Sequence, residues 1–562
     1  MGSRRCYDWN HREARSKLTD TLSVEERSKR MSLIRCVGSG PEMKLRRLVH
    51  GMGFRYRLHI KGFTGKPDLV FPSRRAVIFM HGCFRYRHED CKLARLPKSK
   101  LDFWEDKLEA NRQRGLLKQR QLRDPGWRVL VVWECEMVDI DHVSIIVDEF
   151  LRGQVVEKMK SVELFAGAGG LAMGISLAGF ESLAVVEWDK RACETIRENQ
   201  KRGYPLVRDL PLWEGDVRHF DWSSVTEEVD LLAGGPPCQP FSMGGKHRAH
   251  GDERDMFPPM IEIIRRLAPR VFIIENVKGL TRSSFANYYQ YILLRLEFPE
   301  VTRKSGETWM DHLSVLQKEK TSGALHHGGL TYNVVPTLIN AADYGVPQKR
   351  ERVFIVGFRS DLGIDWSFPR PTHSFDALLY SQWISGEYWD RHGAPRPSRE
   401  DMPKRLKNRI MALSDTIPSF GQKPWRTVRD ALMDIPDPRD ASSREFYNHD
   451  FQDGAKTYKG HTGSPLDLPA KTLKAGDHGV PGGENTMALK DGKVRYFTAR
   501  EAARVQTFSD GYVFPVSWTE TMRQLGNAVP VSLARRVAAS VAERLAEIEI
   551  HRASSSWIRN AA

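Results

Sequence analysis

The chain alternates short apolar runs with amphipathic stretches along most of its 562 residues. Apolar runs of about four to seven residues, bounded by glycine, proline or charged residues, predict buried strands, and apolar residues three and four positions apart predict helices. Strands that alternate with helices in this way are typical of α/β folds with a mostly parallel sheet. The pattern recurs on both sides of residues 153–157 and predicts two α/β modules, in a chain too long for one hydrophobic core.

The first module, residues 1–152, is expected to contain short strands over 67–71, 75–80 and 127–133. A capping box at Ser23 predicts a first helix, and Glu42 lies in the first turn of a second helix that follows Gly40-Pro41. Two further helices are predicted over 101–116 and 143–151.

The second module, from residue 158, begins with a strand over 161–165 that enters a glycine-rich turn and then a helix. Further strands are predicted over 183–186, 229–233, 271–274 and 353–356, and helices over 256–267 and 532–548. Residues 358–493 show only weak periodicity and are rich in proline, glycine, arginine and lysine.

The net charge is +15, and most of the excess lies in the first module. Residues 1–152 contain 32 Lys and Arg against 20 Asp and Glu, whereas the rest of the chain is close to neutral. A positive excess confined to one end indicates a module that binds a polyanion.

The composition otherwise indicates a globular protein of the cytoplasm. Hydrophobic residues make up 40% of the chain, no apolar run could cross a bilayer, and the N-terminus lacks the apolar core of a signal peptide. Seven unevenly spaced cysteines argue against a disulfide framework and favour thiols that are free for metal binding or catalysis. We therefore expect a cytoplasmic protein with no membrane partner.

Two groups of side chains in the first module suit metal ions. Three thiolates and one imidazole form a closed tetrahedral set for zinc. This set consists of Cys83, His88, Cys91 and Cys135. In addition, Glu42 on a helix and Asp68 at the start of a strand outline a nuclease core, in which carboxylates hold Mg²⁺ against a phosphate.

The first module resembles the very-short-patch repair endonucleases, which nick DNA beside T·G mismatches left by deamination of 5-methylcytosine. The resemblance covers nearly the whole module and is carried by residues 27–31, 65–68, 78–84 and 126–135. It implies a restriction-endonuclease-like α/β fold, Asp68 as a Mg²⁺ ligand, and His81 and Glu42 in the active site. It also implies structural zinc on the four-residue set, and Phe84 and Met31 as wedges that unstack the mismatch.

Two residues depart from the family's pattern. The family usually has Cys-Phe-Trp-His over residues 83–86, so Arg85 replaces an aromatic wedge and Tyr86 replaces the histidine thought to be the general base. Tyrosine, with a pKa of about 10, is a poor base at neutral pH. We expect a mismatch endonuclease, and two alternatives stay open: a DNA-binding module that does not cleave, and a restriction nuclease that cuts unmethylated sites.

The glycine-rich turn of the second module, residues 166–170, suits a ligand because backbone N–H groups can approach it closely. Glu187 ends the next predicted strand, 20 residues after Gly167, where an acid usually accepts the ribose hydroxyls of a bound nucleoside. Asp216 follows the third strand region and suits an adenine amino group. The glycine-rich turn and the two acids at this spacing together favour a nucleoside cofactor.

A second motif, residues 234–242, places Cys238 on a stiff Gly-Gly-Pro-Pro loop directly after a predicted strand. Such a thiol is either a small buried hydrophobe or a nucleophile at the carboxyl edge of the sheet, and the loop alone does not decide between them. Glu275 ends the following strand and is expected at the same edge. Downstream, Arg350 and Arg352 alternate onto one side of another strand.

These motifs, in this order, resemble those of the DNA (cytosine-5)-methyltransferases over about 390 residues. The matching stretches are residues 165–170, 235–242, 275–277, 348–352, 498–508 and 524–530. The resemblance implies a Rossmann-like catalytic core over residues 158–357, a small target-recognition lobe over 358–493, and a return to the core over 494–550. It also implies S-adenosylmethionine as the methyl donor and duplex DNA with a flipped-out base as the substrate.

The resemblance further implies a covalent mechanism. Cys238 adds to C6 of cytosine, because C5 is not nucleophilic enough to attack a sulfonium methyl group unaided. Glu275 binds the exocyclic amine and N3 and assists protonation. Arg350 and Arg352 hold the base and its phosphate.

The residues implied for the cofactor cluster at the carboxyl edge of the predicted sheet and in the last motif. They are Phe165, Gly167, Gly169, Gly170, Glu187, Trp188, Asp216, Val217, Pro236, Asn527 and Val529. Candidates for contacts with the DNA groove are Lys471, Lys474, His478 and Arg495.

We therefore expect a bacterial, nucleoid-associated enzyme that acts as a monomer on double-stranded DNA. It methylates cytosine at a short specific sequence and repairs the mismatches that this methylation causes. A tRNA substrate is the remaining alternative for the second module, and the long recognition segment argues against it.

Overall fold

The computed structural model describes residues 38–58, 60, 66–74, 76–88, 91–94, 101–123, 127–152, 159–237, 255–322, 329–414, 421–457, 462–475, 485–489 and 491–560. The chain forms two compact units, Met1–Gln154 and Val155–Ala562, and each is described by itself. The helix predicted at Ser23 and the candidate residues Met31, Cys238 and His478 lie outside the described residues.

The described part of the first unit contains a three-stranded sheet and three α-helices. The strands are β1 (Leu69–Phe71), β2 (Ala76–His81) and β3 (Arg128–Trp133), and the helices are α1 (Gly40–Gly51), α2 (Leu101–Arg123) and α3 (Ile140–Arg152). In the sheet order β1-β2-β3, the first pair is antiparallel and the second is parallel. The core is formed by Leu45, Val49, Phe71, Ile78, Val132 and Val147.

The predicted elements of this unit occur in the structure with small shifts. Helix α2 extends seven residues beyond the predicted end at 116 and finishes shortly before Pro125 of the sequence, a residue that disfavours helix in its predecessor. Helix α1 begins with a capping box between Ser39 and Glu42, which the sequence pattern did not predict at this position.

A seven-stranded sheet forms the centre of the second unit. Its strands are β4 (Lys160–Leu164), β5 (Glu181–Glu187), β6 (Leu212–Glu214), β7 (Leu231–Gly234), β8 (Val271–Val277), β9 (Tyr332–Asn340) and β10 (Glu351–Arg359). The order is β6-β5-β4-β7-β8-β10-β9, and β10 alone is antiparallel to both of its neighbours. The carboxyl ends of β4, β5, β7 and β8 therefore meet at one edge, where open α/β sheets bind ligands.

Helices connect the strands of this sheet. They are α4 (Gly170–Leu177), α5 (Lys190–Lys201), α6 (Phe257–Leu267), α7 (Ala286–Glu297) and α8 (Trp309–Ser322). Apolar side chains of α6 and α7 pack in the same core as Val162 and Leu164 of β4, whereas α4 packs on the other face against Ala233 and Ile273. The unit is thus a three-layer α/β fold.

After β10 the elements are short, as the weak periodicity of residues 358–493 predicts. They comprise β11 (His373–Ser374), α9 (Phe375–Trp383), α10 (Glu387–Arg391), α11 (Lys407–Ser414), β12 (Lys423–Pro424), α12 (Val428–Ala431), β13 (Thr486–Ala488) and β14 (Val494–Tyr496). The chain then continues through α13 (Ala499–Val505), α14 (Trp518–Asn527) and α15 (Val531–Asn560).

Helix α15 returns to the core and packs against α4. Gly174 permits this approach, because a Cβ at that position would overlap the side chain of Ala534 and lie 2.8 Å from the carbonyl oxygen of Val531. The helix is longer than the predicted 532–548, and its apolar residues Leu533, Val537 and Val541 are fully buried. Within the described residues, no helix combines the length and the apolarity that a bilayer crossing requires.

One buried acid in the sheet, Glu163, is expected to make the free energy of unfolding depend on pH. Glu163 of β4 is buried, accepts a hydrogen bond from the Ser161 hydroxyl at 2.6 Å, and leaves its other oxygen without a hydrogen-bond partner among the described residues. Burial raises the pKa of Glu163 to about 7, from 4.5 for an exposed glutamate. From pH 4.5 to 7 the native state therefore binds more protons than the unfolded state, and the free energy of unfolding falls as pH rises.

We expect Glu163→Gln to remove this slope and to stabilise the second unit at pH 8 by up to about 3 kcal/mol. Urea unfolding at several pH values between 5 and 8 measures the effect. Glu181→Gln, at an exposed acid on the neighbouring strand β5, is the matched control and should leave the slope unchanged. An unaltered slope in Glu163→Gln would show that Glu163 is ionised in the native protein.

Candidate active sites

In the first unit, the sheet joins Asp68 to the end of β2. The Asp68 N–H donates to the carbonyl of Ile78 at 3.1 Å, and its carboxylate Oδ2 accepts the N–H of Met80 at 2.7 Å. His81 is the next residue after Met80 and the last of β2. The antiparallel pairing of β1 and β2 thus brings the predicted Mg²⁺ ligand and the predicted active-site histidine to one end of the sheet.

His81 is enclosed by aromatic rings. Its imidazole stacks on the Tyr86 ring at a centroid distance of 3.9 Å and meets the Trp133 ring edge-on at 5.4 Å. Burial, with a smaller contribution from the Arg85 charge, lowers the pKa of His81 to about 4. The imidazole is therefore neutral at physiological pH and able to accept a proton. Tyr86, which replaces the family's histidine, is the stacking partner of this ring.

Glu42 is occupied within α1. Its Oε2 accepts the backbone N–H groups of Gly38 at 2.7 Å and Ser39 at 3.2 Å, and its Oε1 is paired with the guanidinium of Arg46. Sequence reasoning predicts this carboxylate in the active site, whereas the structure uses both of its oxygens to cap and brace the helix. The capping box explains why an acid is needed at this position.

The predicted zinc ligands come together although Cys135 is far from the others in sequence. His88 Nδ1 lies 3.6 Å from Cys83 Sγ and 3.3 Å from Cys135 Sγ, and one ligand atom from each of the four residues, Cys91 included, falls within 4.8 Å of the rest. Separations of this size fit four ligands around one tetrahedral ion with metal–ligand bonds of about 2.0–2.3 Å. The set can therefore hold a metal ion.

An aromatic side chain links this cluster to His81. The Trp133 ring stacks on His88 at 4.1 Å and also meets His81 edge-on, so one indole touches both imidazoles. Burial raises the pKa of the Cys135 thiol to about 12, so a cation is needed to convert this thiol to the thiolate that binds metal.

We expect Cys135→Ser to abolish metal retention and to lower the free energy of unfolding of the first unit by about 3 kcal/mol or more, because metal binding contributes directly to folding. Elemental analysis of the purified protein and thermal unfolding measure the two effects. Cys193→Ala, at a buried cysteine of the second unit, is the control and should keep the bound metal. A metal content equal to that of the unaltered protein would refute the site.

Phe84, the predicted wedge, is half-buried and packs against the Trp104 ring of α2 at 5.7 Å. Arg85 is exposed, and its guanidinium lies 5.9 Å from the centre of the Tyr86 ring. The position of the missing second aromatic wedge is thus taken by an exposed cation, a side chain suited to phosphate.

In the second unit, the turn after β4 is shaped for a ligand. Phe165, Gly167 and Gly169 have positive φ angles of 56°, 54° and 83°, and α4 begins directly afterwards. The Gly167 N–H donates to Glu187 Oε2 at 2.7 Å, so the acid at the end of β5 braces the turn. Burial raises the pKa of Glu187. Trp188 is 74% exposed beside it, which leaves an indole face available for stacking.

The third strand region adds Asp216. The Gly215 N–H donates to the Glu187 carbonyl at 2.8 Å, which brings this loop to the end of β5. Asp216 forms a two-pronged pair with the Arg218 guanidinium, and these hydrogen bonds lower the pKa of Asp216. Val217 is buried next to it.

Distant parts of the chain complete the turn. A Cβ at Gly170 would lie 2.5 Å from the Val529 carbonyl oxygen, so Gly170 and Val529 are in close contact, whereas Asn527 is exposed at the end of α14. Sequence reasoning missed Tyr512, whose hydroxyl donates to the Ala168 carbonyl at 2.8 Å. Its only sequence signal is a tyrosine shortly after the 498–508 motif.

Glu275 lies against the start of the cysteine loop. A Cβ at Gly235 would sit 3.3 Å from Glu275 Oε2, and the Asn276 amide donates to the Pro236 carbonyl at 3.1 Å. Arg352 Nε is 3.0 Å from Glu275 Oε1, yet its N–H does not point at this oxygen, which has no aligned hydrogen bond among the described residues. A buried carboxylate oxygen is thus held beside the loop that carries Cys238.

Arg350 has a different environment from the one predicted. Its side chain is 1% exposed, and the guanidinium donates to the carbonyl oxygens of Gly526 at 2.8 Å, Ala528 at 3.0 Å and Leu473 at 3.4 Å. Both terminal nitrogens are therefore engaged by backbone of two other segments. Both arginines are expected from the sequence to bind the target base. In the structure Arg352 lies beside Glu275, whereas Arg350 connects the segments that contain Leu473 and Gly526.

The candidate residues for DNA contacts differ in their burial and in their partners. Arg495 is buried and forms a two-pronged ion pair with Glu501 at 2.5 and 2.6 Å, so it is a structural residue instead of the predicted DNA contact. Lys474 is exposed, and Lys471 Nζ donates to the Thr462 hydroxyl at 3.3 Å. These two lysines remain candidates for DNA contacts.

Comparison with known proteins identifies both units. Residues 159–299 and 318–543 match the family described as C-5 cytosine-specific DNA methylase, and residues 19–93 match the family described as DNA mismatch endonuclease Vsr. The chain therefore belongs to the C-5 cytosine-specific DNA methylase family and carries a Vsr-type mismatch endonuclease domain at its N-terminus.

Individual relatives agree with this assignment. The type II methyltransferase M.PspPI of Psychrobacter sp. (strain TA137) is 33% identical over 68% of this chain and 79% of its own length. The type II methyltransferase M.Eco47II of Escherichia coli is 31% identical over 69% of this chain and 79% of its own length. The type II nicking enzyme V.XorIIP of Xanthomonas oryzae pv. oryzae (strain KACC10331 / KXO85) is 50% identical over 22% of this chain and 90% of its own length.

These matches confirm the predicted family of each unit and the α/β fold class. The protein is an enzyme with a DNA cytosine methyltransferase unit and an endonuclease unit, it acts on DNA, and its methyl donor is S-adenosylmethionine.

Proposed function

We propose that the second unit methylates C5 of cytosine within a short specific duplex sequence, through a covalent bond between Cys238 and C6, and that the first unit nicks T·G mismatches that arise when the product deaminates. The observation that carries the first half is the close approach of Gly235, at the start of the cysteine loop, to the buried carboxylate of Glu275. This contact supports a thiol and an acid acting on one base.

The residues of the chain divide the reaction between them. Cys238 adds as thiolate to C6, which makes C5 an enamine carbon able to attack an electrophilic methyl group. Glu275 binds the exocyclic amine and N3 of the ring and delivers a proton there, so that negative charge does not accumulate on the base. Arg352, beside Glu275, orients this carboxylate and the base. Removal of the C5 proton then expels the Cys238 thiolate.

S-Adenosylmethionine supplies the electrophilic methyl group when it is bound. The turn at Phe165, Gly167, Gly169 and Gly170 fits its methionine part. Glu187 fits its ribose hydroxyls because each carboxylate oxygen can accept a second hydrogen bond besides the one from the Gly167 or Asp189 N–H. The remaining residues proposed to line this site are Trp188, Asp216, Val217, Pro236, Asn527 and Val529. A flipped-out base is required, since C6 is inaccessible to a thiol within the stacked duplex.

In the first unit, we propose Asp68 as the ligand of a Mg²⁺ ion that would bind the scissile phosphate. His81 follows Met80, whose N–H donates to this carboxylate, and its neutral imidazole is the proposed proton acceptor. The cluster of Cys83, His88, Cys91 and Cys135 would hold structural zinc. Phe84 would insert at the mismatch, and Arg85 would bind a neighbouring phosphate.

Residues 358–493 would read the target sequence, with Lys471, Lys474 and His478 as candidates for DNA contacts. The domain limits that belong to this proposal are 1–152 for the endonuclease, 158–357 and 494–550 for the methyltransferase core, and 358–493 for recognition. We further propose that the protein works as a monomer at the bacterial nucleoid.

Bisulfite sequencing of DNA from cells that express the protein tests the methyltransferase proposal and identifies the target. Protected cytosines in one recurring short sequence are expected. Unprotected DNA together with transfer of labelled methyl groups to tRNA would refute the proposal.

The endonuclease proposal is tested on three duplexes of this target: one with a T·G mismatch at the methylated position, one with T·A there, and one unmethylated C·G duplex. A Mg²⁺-dependent nick in the T·G duplex alone is expected. Cutting of the unmethylated duplex would indicate a restriction nuclease, and binding without cleavage a DNA-binding module. The exposed Arg85 and the Tyr86 ring in place of the family's base favour this last outcome over the restriction nuclease.

A further inference from the structure

Residues 470–475, here called the recognition segment, pair with the loop that precedes β10. The Ala470 N–H donates to the Pro347 carbonyl at 2.9 Å, the Lys349 N–H donates to the Ala470 carbonyl at 2.8 Å, and the Thr472 hydroxyl donates to the Lys349 carbonyl at 2.8 Å. The recognition segment is thus fixed to the residues directly before β10 by three hydrogen bonds that involve the backbone.

The other side of the recognition segment lies against the end of α14. A Cβ at Gly526 would overlap the backbone of Lys474 and Ala475, so only glycine allows the two backbones to approach this closely. The recognition segment is therefore held between residues 347–349 and residues 526–528, the carboxyl end of α14 and its cap residue, here called the 526–528 loop.

Arg350 bridges these elements with one guanidinium. It donates to Leu473 in the recognition segment and to Gly526 and Ala528 in the loop. Arg352 pairs with Glu275, whereas the guanidinium of Arg350 donates to backbone carbonyl oxygens. A buried cation bonded to neutral carbonyls is costly to maintain, which indicates a role that a smaller or apolar side chain would not serve.

The residue that follows the 526–528 loop contacts the turn that we assign to the cofactor. Val529 follows Ala528, and its carbonyl oxygen is the atom that a Cβ at Gly170 would meet. Gln506 braces the same loop through the carbonyl oxygens of Leu525 and Ala528. A shift of the recognition segment would thus be transmitted through Arg350 to the backbone against which Gly170 packs.

We propose that Arg350 is a positioning residue that couples the recognition segment to the cofactor turn, so that cofactor affinity depends on how the recognition segment is seated. The proposal rests on the cofactor and recognition sites assigned above. Because such coupling is reciprocal, the bound cofactor also strengthens the seating of the recognition segment between residues 347–349 and 526–528.

The test compares the binding of S-adenosylhomocysteine, an unreactive form of the cofactor, by titration calorimetry on the full chain. We expect Arg350→Met to raise the Kd about tenfold and Thr472→Val, which removes only the hydroxyl contact to Lys349, to raise it about threefold. In the double variant, Thr472→Val should add nothing further, since the link is already broken. Arg350→Lys keeps the charge but not the planar set of donors. Its Kd should lie between those of the unaltered protein and Arg350→Met.

Two controls separate coupling from a general loss of stability. Arg359→Met removes a guanidinium that donates to the Ala268 carbonyl at 2.8 Å, at the opposite end of the same strand, and should leave the Kd unchanged. Thr472→Ser keeps the hydroxyl and should bind as the unaltered protein does.

An unchanged Kd in Thr472→Val, or additive effects in the double variant, would overturn the coupling while leaving the cofactor site intact. Failure of the unaltered protein to bind S-adenosylhomocysteine would instead refute the cofactor site, and the coupling with it. In methylation assays, coupling predicts a raised KM for the methyl donor in Arg350→Lys with a smaller change in kcat, whereas a direct contact with the base predicts the reverse.

Discussion

Replacing Cys238 by serine is expected to reduce methyl transfer by about 10⁴-fold or more, because a hydroxyl at neutral pH cannot add to C6 as a thiolate does. Incorporation of labelled methyl groups into target DNA measures the loss. Binding of S-adenosylhomocysteine should be retained, since the residues assigned to the cofactor do not include Cys238. Cys193→Ala is the matched control, because Cys193 is a buried cysteine of the same unit with no role in the proposed chemistry.

The covalent step itself can be examined with duplexes that contain 5-fluorocytosine at the target. Fluorine cannot leave C5 as a proton does, so the adduct between Cys238 and C6 should accumulate and survive denaturing electrophoresis. The Cys238→Ser variant should give no such adduct. Methylation at the normal rate in this variant would overturn the assignment of the nucleophile.

Asp68→Ala is expected to lower Mg²⁺-dependent nicking of a T·G duplex by about 10³-fold or more, because the carboxylate is the proposed ligand that holds the ion against the phosphate. Single-turnover cleavage of a labelled duplex at several Mg²⁺ concentrations measures the effect. Asp141→Ala, at an exposed acid on α3, is the control and should cleave normally.

Two further measurements make the Asp68 result specific. Methyl transfer by Asp68→Ala should equal that of the unaltered chain, because the methyltransferase unit has its own sheet and core. Binding of the T·G duplex should also persist. Equal and negligible nicking by Asp68→Ala and the unaltered protein would leave the first unit as a DNA-binding module.

The two activities are chemically related. Deamination of the product of the second unit yields the T·G mismatch that the first unit is proposed to nick, so one chain would carry both the source of the lesion and the start of its repair. The positive excess of the first 152 residues suits such a role, since it would add to the affinity for the DNA backbone.

Several features of the sites could be predicted from the sequence because local rules apply to them. Glu187 ends β5, Gly235 follows β7, and Glu275 lies near the end of β8. These strands are parallel, and the carboxyl ends of parallel strands meet at one edge. The thiols and the imidazole of the metal cluster were recognisable by type and spacing, since few other environments call for that combination.

Other assignments depended on partners that no local pattern reveals. Glu42 has the residue type of a nuclease carboxylate, but the cap of α1 and Arg46 take up its oxygens. Arg495 has the charge of a DNA contact, but Glu501 neutralises it in the interior. In both residues, burial and a neighbouring group outweigh what the side chain alone suggests.

Arg350 shows the limit most clearly. Alternation along β10 places Arg350 and Arg352 on one side of a strand, and the sequence offers no means to distinguish them. Their separation arises because Leu473 and the 526–528 loop, more than 120 residues away, close over Arg350 and leave Arg352 beside Glu275. Sequence patterns thus identify the families, the strands and the reactive residue types, while long-range packing determines which charges face the substrate and which are used to hold the enzyme together.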